Sequence, residues 1–167
     1  MVFRPWLYRQ KTQFVKAASS IGFTLLAATV LFTGCFNKNE NLEAPRFNIK
    51  LYGSEDYEPG HTYNFNPENT SPLVLNFWFP SCPPCVAEMP EINSIYEKHK
   101  KILDVVGIQL IGLDSVEDGG KFISANNISY AVGADLDGSI SVDYEISVFP
   151  TTIFISHEGK IARTWQG

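Results

Sequence analysis

The pattern of apolar and polar positions changes character several times along the 167-residue chain. Residues 17–34 are uncharged, with Ile21, Phe23, Leu25, Leu26, Val30, Leu31 and Phe32 as their apolar bulk. Residues 36–46 are polar, and a globular pattern begins near Phe47. Residues 47–51 alternate apolar and polar, as a half-buried strand does. Turn residues follow at Pro59-Gly60 and again over 66–72. The nearly continuous apolar run 73–79 predicts a central strand covered on both faces. After Pro83-Pro84, the residues Val86, Met89, Ile92, Ile95 and Tyr96 recur at three and four positions and predict a helix. Pro90 implies a kink in it, and Lys98, His99, Lys100 and Lys101 complement the negative end of its dipole. A second apolar run, 105–113, predicts another buried strand. A weaker helix follows over 116–126, with Gly119-Gly120 near its start, then a short strand over 129–132 and a short helix over 138–144. Residues 151–156 and 161–165 predict a hairpin turned at His157-Glu158-Gly159-Lys160. Strands alternating with helices and closing on a hairpin predict an α/β fold, a central mixed β-sheet flanked by helices.

Charge changes the reading of the first segment. Every charge in residues 1–34 is positive (Arg4, Arg9, Lys11 and Lys16). A basic segment followed by an apolar one is the layout of a secretory signal, with its positive end in the cytoplasm. The segment ends in Leu31-Phe32-Thr33-Gly34-Cys35, which resembles the lipobox of bacterial lipoproteins, with Phe32 where Leu is usual. The resemblance implies that Cys35 is acylated and becomes the new N-terminus. The alternative is a retained transmembrane helix, because the uncharged stretch is near the spanning minimum. Either reading anchors the protein to a membrane and places the rest of the chain in the extracytoplasmic space. The expected organisation is a signal peptide over 1–34, a lipidated cysteine and flexible tether over 35–46, and one domain over 47–167.

The whole chain carries 13 Lys+Arg against 18 Asp+Glu, a net charge of −5. Removing the four basic residues of the signal leaves nine against 18, or −9. That balance argues against a nucleic-acid partner. A hydrophobic share of 44% is enough for a packed core. Three cysteines are too few for a disulfide-dense scaffold and leave an odd one to explain.

Cys82 and Cys85 stand two residues apart where a predicted strand gives way to a predicted helix. The first lies at the helix N-terminus, where unpaired N–H groups and the dipole favour a thiolate. The second lies about one turn on, close enough to close a small disulfide ring. Pro83 and Pro84 have no N–H to leave unpaired and preset φ for a first turn. Two plainer readings stand beside redox chemistry. A structural zinc site needs four ligands, of which this pair supplies two, and His61, His99 and His157 show no paired spacing. An inert disulfide is compatible with an oxidising compartment.

The segment Asn76-Phe77-Trp78-Phe79-Pro80-Ser81-Cys82-Pro83-Pro84-Cys85-Val86-Ala87-Glu88-Met89-Pro90 resembles the active-site segment of extracytoplasmic thioredoxin-like proteins of the TlpA/ResA type. Ala44-Pro45-x-Phe47 resembles the family's entry, and residues 144–160, with Phe149-Pro150-Thr151-Thr152, resemble its cis-proline strand. The resemblance implies a thioredoxin-like fold, a thiol–disulfide oxidoreductase and no cofactor. It implies Cys82 as the nucleophile and Cys85 as the resolving thiol of one redox disulfide. Pro150 is expected to be cis, leaving the Phe149 backbone to pair with an extended substrate; an ordinary strand-edge proline is the alternative. Asn76 stands where cytoplasmic thioredoxins have a buried Asp, and Glu88 matches a glutamate of the family motif. Glu88 is therefore a candidate proton carrier during exchange, against the plainer reading of a first-turn glutamate favoured by the dipole. Trp78, Phe79 and Phe149 are candidates for an apolar substrate-binding rim, with core packing the alternative for Trp78.

The implied substrates are protein disulfides or thiols, with the haem-site cysteines of apocytochrome c the best-known class. The implied electron donor is a transmembrane thiol carrier. Three departures accompany the resemblance. Ser81 replaces a usual Trp and removes part of the aromatic lid over the thiol. Val148 replaces a common Gly. The sequence stops at Gly167, where the family normally adds a C-terminal helix; with that helix absent, either one sheet face is uncovered or the sequence is part of a longer chain. Two other functions remain in view. A thioredoxin-fold peroxidase resembles Thr-x-x-Cys, which Ser81-Cys82 does not supply. A Sco-type copper-delivery protein resembles CxxxC with a distant histidine.

Overall fold

The computed structural model describes residues 42–68 and 70–167. The predicted signal, Cys35 and the first part of the tether lie outside the described residues. Among the described residues no helix is long and apolar enough to cross a membrane.

Among the described residues, seven strands and three helices follow one another. They are β1 (Phe47–Lys50), β2 (Thr62–Phe65), β3 (Leu73–Trp78), α1 (Pro83–His99), β4 (Asp104–Leu110), α2 (Val116–Ala125), β5 (Ala131–Asp135), α3 (Ser139–Asp143), β6 (Thr151–Ile155) and β7 (Ile161–Gln166). Strands β1 and β2 form an antiparallel pair, with Phe47 opposite Phe65 and Lys50 opposite Thr62. The other five form one sheet in the order β5-β4-β3-β6-β7. Strands β3, β4 and β5 run parallel, whereas β6 and β7 run antiparallel to their neighbours.

All six residues of β3 are buried because this strand is covered on both faces, whereas β6 and β7 leave Phe154 and Trp165 exposed. The period-two alternation of a strand divides the β3 residues. Leu73, Leu75 and Phe77 join a core with Phe47, Ile49, Ile140 and Tyr144. Val74 and Trp78 join the other, with Met89, Ile92 and Tyr96 of α1 and Ile123 of α2. Full burial of each such aliphatic or aromatic side chain contributes about 1.5–3 kcal/mol. Helix α1 buries Cys85, Met89, Ile92 and Tyr96 on one stripe and runs unbroken through Pro90, an exposed position. Ile95, expected on that stripe, is 49% exposed. Helix α2 starts in a capping box in which Ser115 and Asp118 satisfy each other's backbone N–H groups. That cap offsets Gly119-Gly120 in its first turns.

One strand was not expected, and two expectations are corrected. Strand β2 carries no clear alternation, only Phe65 being buried, and it is held by its pairing with β1. The strand expected over 129–132 is β5, shifted to Ala131–Asp135, where pairing with β4 outweighs the weak strand preference of Ala, Gly and Asp. The end of the tether belongs to the domain. Ala44 is buried, its N–H donates to the Gly159 carbonyl at 2.8 Å, and Ile161 N–H donates to the Leu42 carbonyl at 2.8 Å. Residues 42–44 are thereby laid against the start of β7.

Candidate active site

Strand β3 delivers the chain to the carboxyl end of the sheet, and a short turn carries it into α1. Cys82 N–H donates to the Phe79 carbonyl at 3.1 Å, which closes this turn. Cys82 is the N-cap of α1, in extended conformation, and Pro83 and Pro84 occupy the first helical positions. The Cys82 sulfur accepts from Cys85 N–H at 3.3 Å. One otherwise unpaired donor at the helix start therefore points at the sulfur that would carry charge as a thiolate. Cys82 and Cys85 are joined in a disulfide, with their Cα atoms 5.3 Å apart. Cys82 is 5% exposed and Cys85 fully buried, so an incoming group meets Cys82 first.

The Phe149–Pro150 peptide is cis. Pro150 is buried, and Phe149 is half-buried with its ring edge-on to Phe79, centroids 5.3 Å apart. Val148, just before them, is exposed. Trp78 is withdrawn from the expected rim. It is fully buried and tilts against Phe122 of α2 at 5.3 Å. Strand alternation turns it beneath the sheet's helix-covered face, while Phe79, one residue on, has left the strand.

Glu88 lies in the second turn of α1, and the first turn contains no acidic residue. The reading of Glu88 as a first-turn dipole partner is therefore corrected. The carboxylate is directed at the sheet: Asn76 Nδ2 donates to its Oε1 at 2.6 Å and also to Thr152 Oγ1 at 3.0 Å. Desolvation is the main reason that the Glu88 carboxyl lies above its ordinary value; the Asn76 hydrogen bond opposes this, and the charge of Glu91 adds a smaller push. Burial and then the charge of Glu88 hold the Tyr130 phenol well above its usual range. On its outer side Glu88 lines a groove of about 590 Å³ together with Ile92, Ile95, Phe154 and Trp165. The carboxyl thus lies between a buried polar contact and solvent, as a group that passes protons requires.

Two polar residues of this region were not singled out by the sequence. Thr152 had a local signal, as one of two polar residues, Thr151 and Thr152, that open a strand of otherwise apolar sequence. Asp114 had none: it stands in the loop between β4 and α2, and its Oδ2 accepts from Ser81 N–H at 2.9 Å and from Ser81 Oγ at 2.7 Å. Among the described residues, no three His, Cys, Asp or Glu come together as a metal site.

The arrangement can break and remake one disulfide at a helix N-terminus beside a cis-proline. Comparison with known proteins agrees with it. The AhpC/TSA family model matches residues 41–164. The chain is similar to the thiol-disulfide oxidoreductase ResA of Oceanobacillus iheyensis, at 33% identity over 89% of this chain and 79% of that one. Among solved structures it resembles a putative thioredoxin from Neisseria meningitidis, with a TM-score of 0.65 and 27% identity over 77% of this chain and 81% of that one. It also resembles StoA from Bacillus subtilis, with a TM-score of 0.63 and 25% identity over 74% and 89% of the two chains.

Proposed function

The chain belongs to the AhpC/TSA family and is a thiol–disulfide oxidoreductase of the ResA and StoA type, and from that premise we propose that it reduces protein disulfides outside the cytoplasm while tethered to a membrane. The observation that carries the reading is the placement of Cys82. It caps α1, receives the Cys85 N–H, and is the less buried sulfur of the pair.

The proposed roles follow from that placement. In the reduced protein the Cys82 thiolate attacks a substrate disulfide, forming a mixed disulfide and expelling one substrate thiolate. Cys85 then gives up its proton, and its thiolate attacks the Cys82 sulfur. The second substrate thiolate leaves, and the Cys82–Cys85 bridge is restored. Two electrons pass from the protein to the substrate, whose two sulfurs end as thiols after taking up two protons. Glu88 is the group on this chain suited to receive the Cys85 proton and hand it towards the groove. Phe79, Phe149 and the cis Pro150 form the surface that receives the substrate segment.

Regeneration consumes a donor dithiol, which the resemblance assigns to a transmembrane thiol carrier. Cys35 is proposed as the lipid anchor, with residues 1–34 as the signal and 47–167 as the core of the catalytic domain. Among substrates, the haem-attachment cysteines of apocytochrome c are proposed. Insulin reduction by the protein driven with dithiothreitol tests the central claim: wild type should be active and Cys82→Ser inactive. Persistent activity in Cys82→Ser would remove it.

A further inference from the structure

The β4–α2 loop reaches across to the residue that precedes the nucleophile. A single oxygen of Asp114 accepts both the backbone N–H and the hydroxyl of Ser81. These contacts join segments 33 residues apart. They pin the turn that Cys82 N–H closes onto Phe79. Residues 73–87 carry no charge of their own. Asp114 therefore brings a carboxylate to the residue just before Cys82, whose sulfur accepts the Cys85 N–H. The neighbouring Asp118 is engaged elsewhere, its Oδ2 taking the Ser115 N–H and hydroxyl. Glu88 on α1 is held by Asn76.

We infer that Asp114 is a positioning residue that holds Ser81 ahead of Cys82 and, through its charge, biases the Cys82–Cys85 couple towards the disulfide. Reduction of the bridge by a donor dithiol moves two electrons. The donor becomes a disulfide and loses two protons; Cys85 takes one, the other goes to solvent, and Cys82 is left as a thiolate. The thiolate is stabilised by the start of α1 and opposed by the like charge of Asp114. A couple whose reduced form is opposed gives up its electrons more readily. The inference thus rests on the reading of this site as a reductase and names the residue that sets the direction.

The test equilibrates the full-length protein with glutathione and measures the Cys82–Cys85 dithiol fraction, alongside the alkylation rate of Cys82 by iodoacetamide. Asp114→Asn keeps an oxygen that accepts both Ser81 hydrogens and removes only the charge. It should shift the equilibrium about three- to tenfold towards the dithiol and speed alkylation at neutral pH. Tenfold in this two-electron couple corresponds to about 30 mV. Asp114→Glu, which keeps the charge, should stay nearer the wild-type equilibrium than either neutral variant, and Asp114→Ser, a second neutral variant, should shift it in the same direction as Asn. Wild-type equilibria in both neutral variants would overturn the inference. Insulin reduction run in parallel separates the two claims: an inert wild type, or an active Cys82→Ser, removes the reductase reading itself.

Discussion

Asn76 donates to Glu88 at 2.6 Å, tying the middle of the central strand to the helix that begins at the redox disulfide. The same amide reaches Thr152 on β6, two residues after the cis-proline. Three elements that frame the disulfide are thus locked through one buried side chain.

Glu88 is half-buried at this contact, and desolvation raises its pKa against the opposing pull of the Asn76 hydrogen bond. The folded protein therefore holds the Glu88 proton more tightly than the unfolded chain does. The group favours folding fully below its ordinary value of 4.5, and that contribution is lost as pH rises through the higher folded value. Glu88→Gln removes the titration. Urea unfolding of both proteins between about pH 4 and pH 7 should show the variant gaining stability relative to wild type as pH rises. Parallel curves would contradict a raised Glu88.

Cys85 is buried beneath Cys82 and serves the second half of the exchange. Cys85→Ser should form the mixed disulfide through Cys82 and fail to resolve it. A covalent adduct with a peptide disulfide, stable on non-reducing electrophoresis and released by dithiothreitol, is the expected product. A variant that turns over like wild type would reassign the resolving thiol.

Trp78 and Phe149 separate packing from recognition. Trp78→Ala empties a fully buried site against Phe122 and should cost about 3–5 kcal/mol in denaturant unfolding. Phe149→Ala trims a half-buried ring that touches Phe79. It should leave the protein folded and raise KM for a peptide disulfide severalfold, with a smaller effect on kcat. Equal loss of stability in the two variants would place Phe149 in the core instead.

Much of the fold could be read because its signals are local. The run 73–79 showed a central strand because burial on both faces removes the need for polar alternation. The helix after Pro83 showed through its apolar stripe and its prolines at the start. Strand β2 escaped because only Phe65 of its four residues is buried and turn residues crowd it on both sides. Strand β5 was placed too early because its residues have little preference of their own and take their register from β4.

The candidate site divides in the same way. The Cys-Pro-Pro-Cys spacing at a strand-to-helix junction is a local feature, so a redox pair could be read from it, and the resemblance of the surrounding segment singled that reading out. The helix start that favours a thiolate was determined by sequence alone, because it depends on the residues adjoining Cys82. The companions of the thiols were decided by tertiary structure. Asn76 meets Glu88 and Thr152, Asp114 meets Ser81, and Trp78 turns inward while Phe79 turns towards Phe149. These pairs lie up to 76 residues apart. No periodicity can place them together, because strand order and sheet register, not sequence spacing, set which side chains converge.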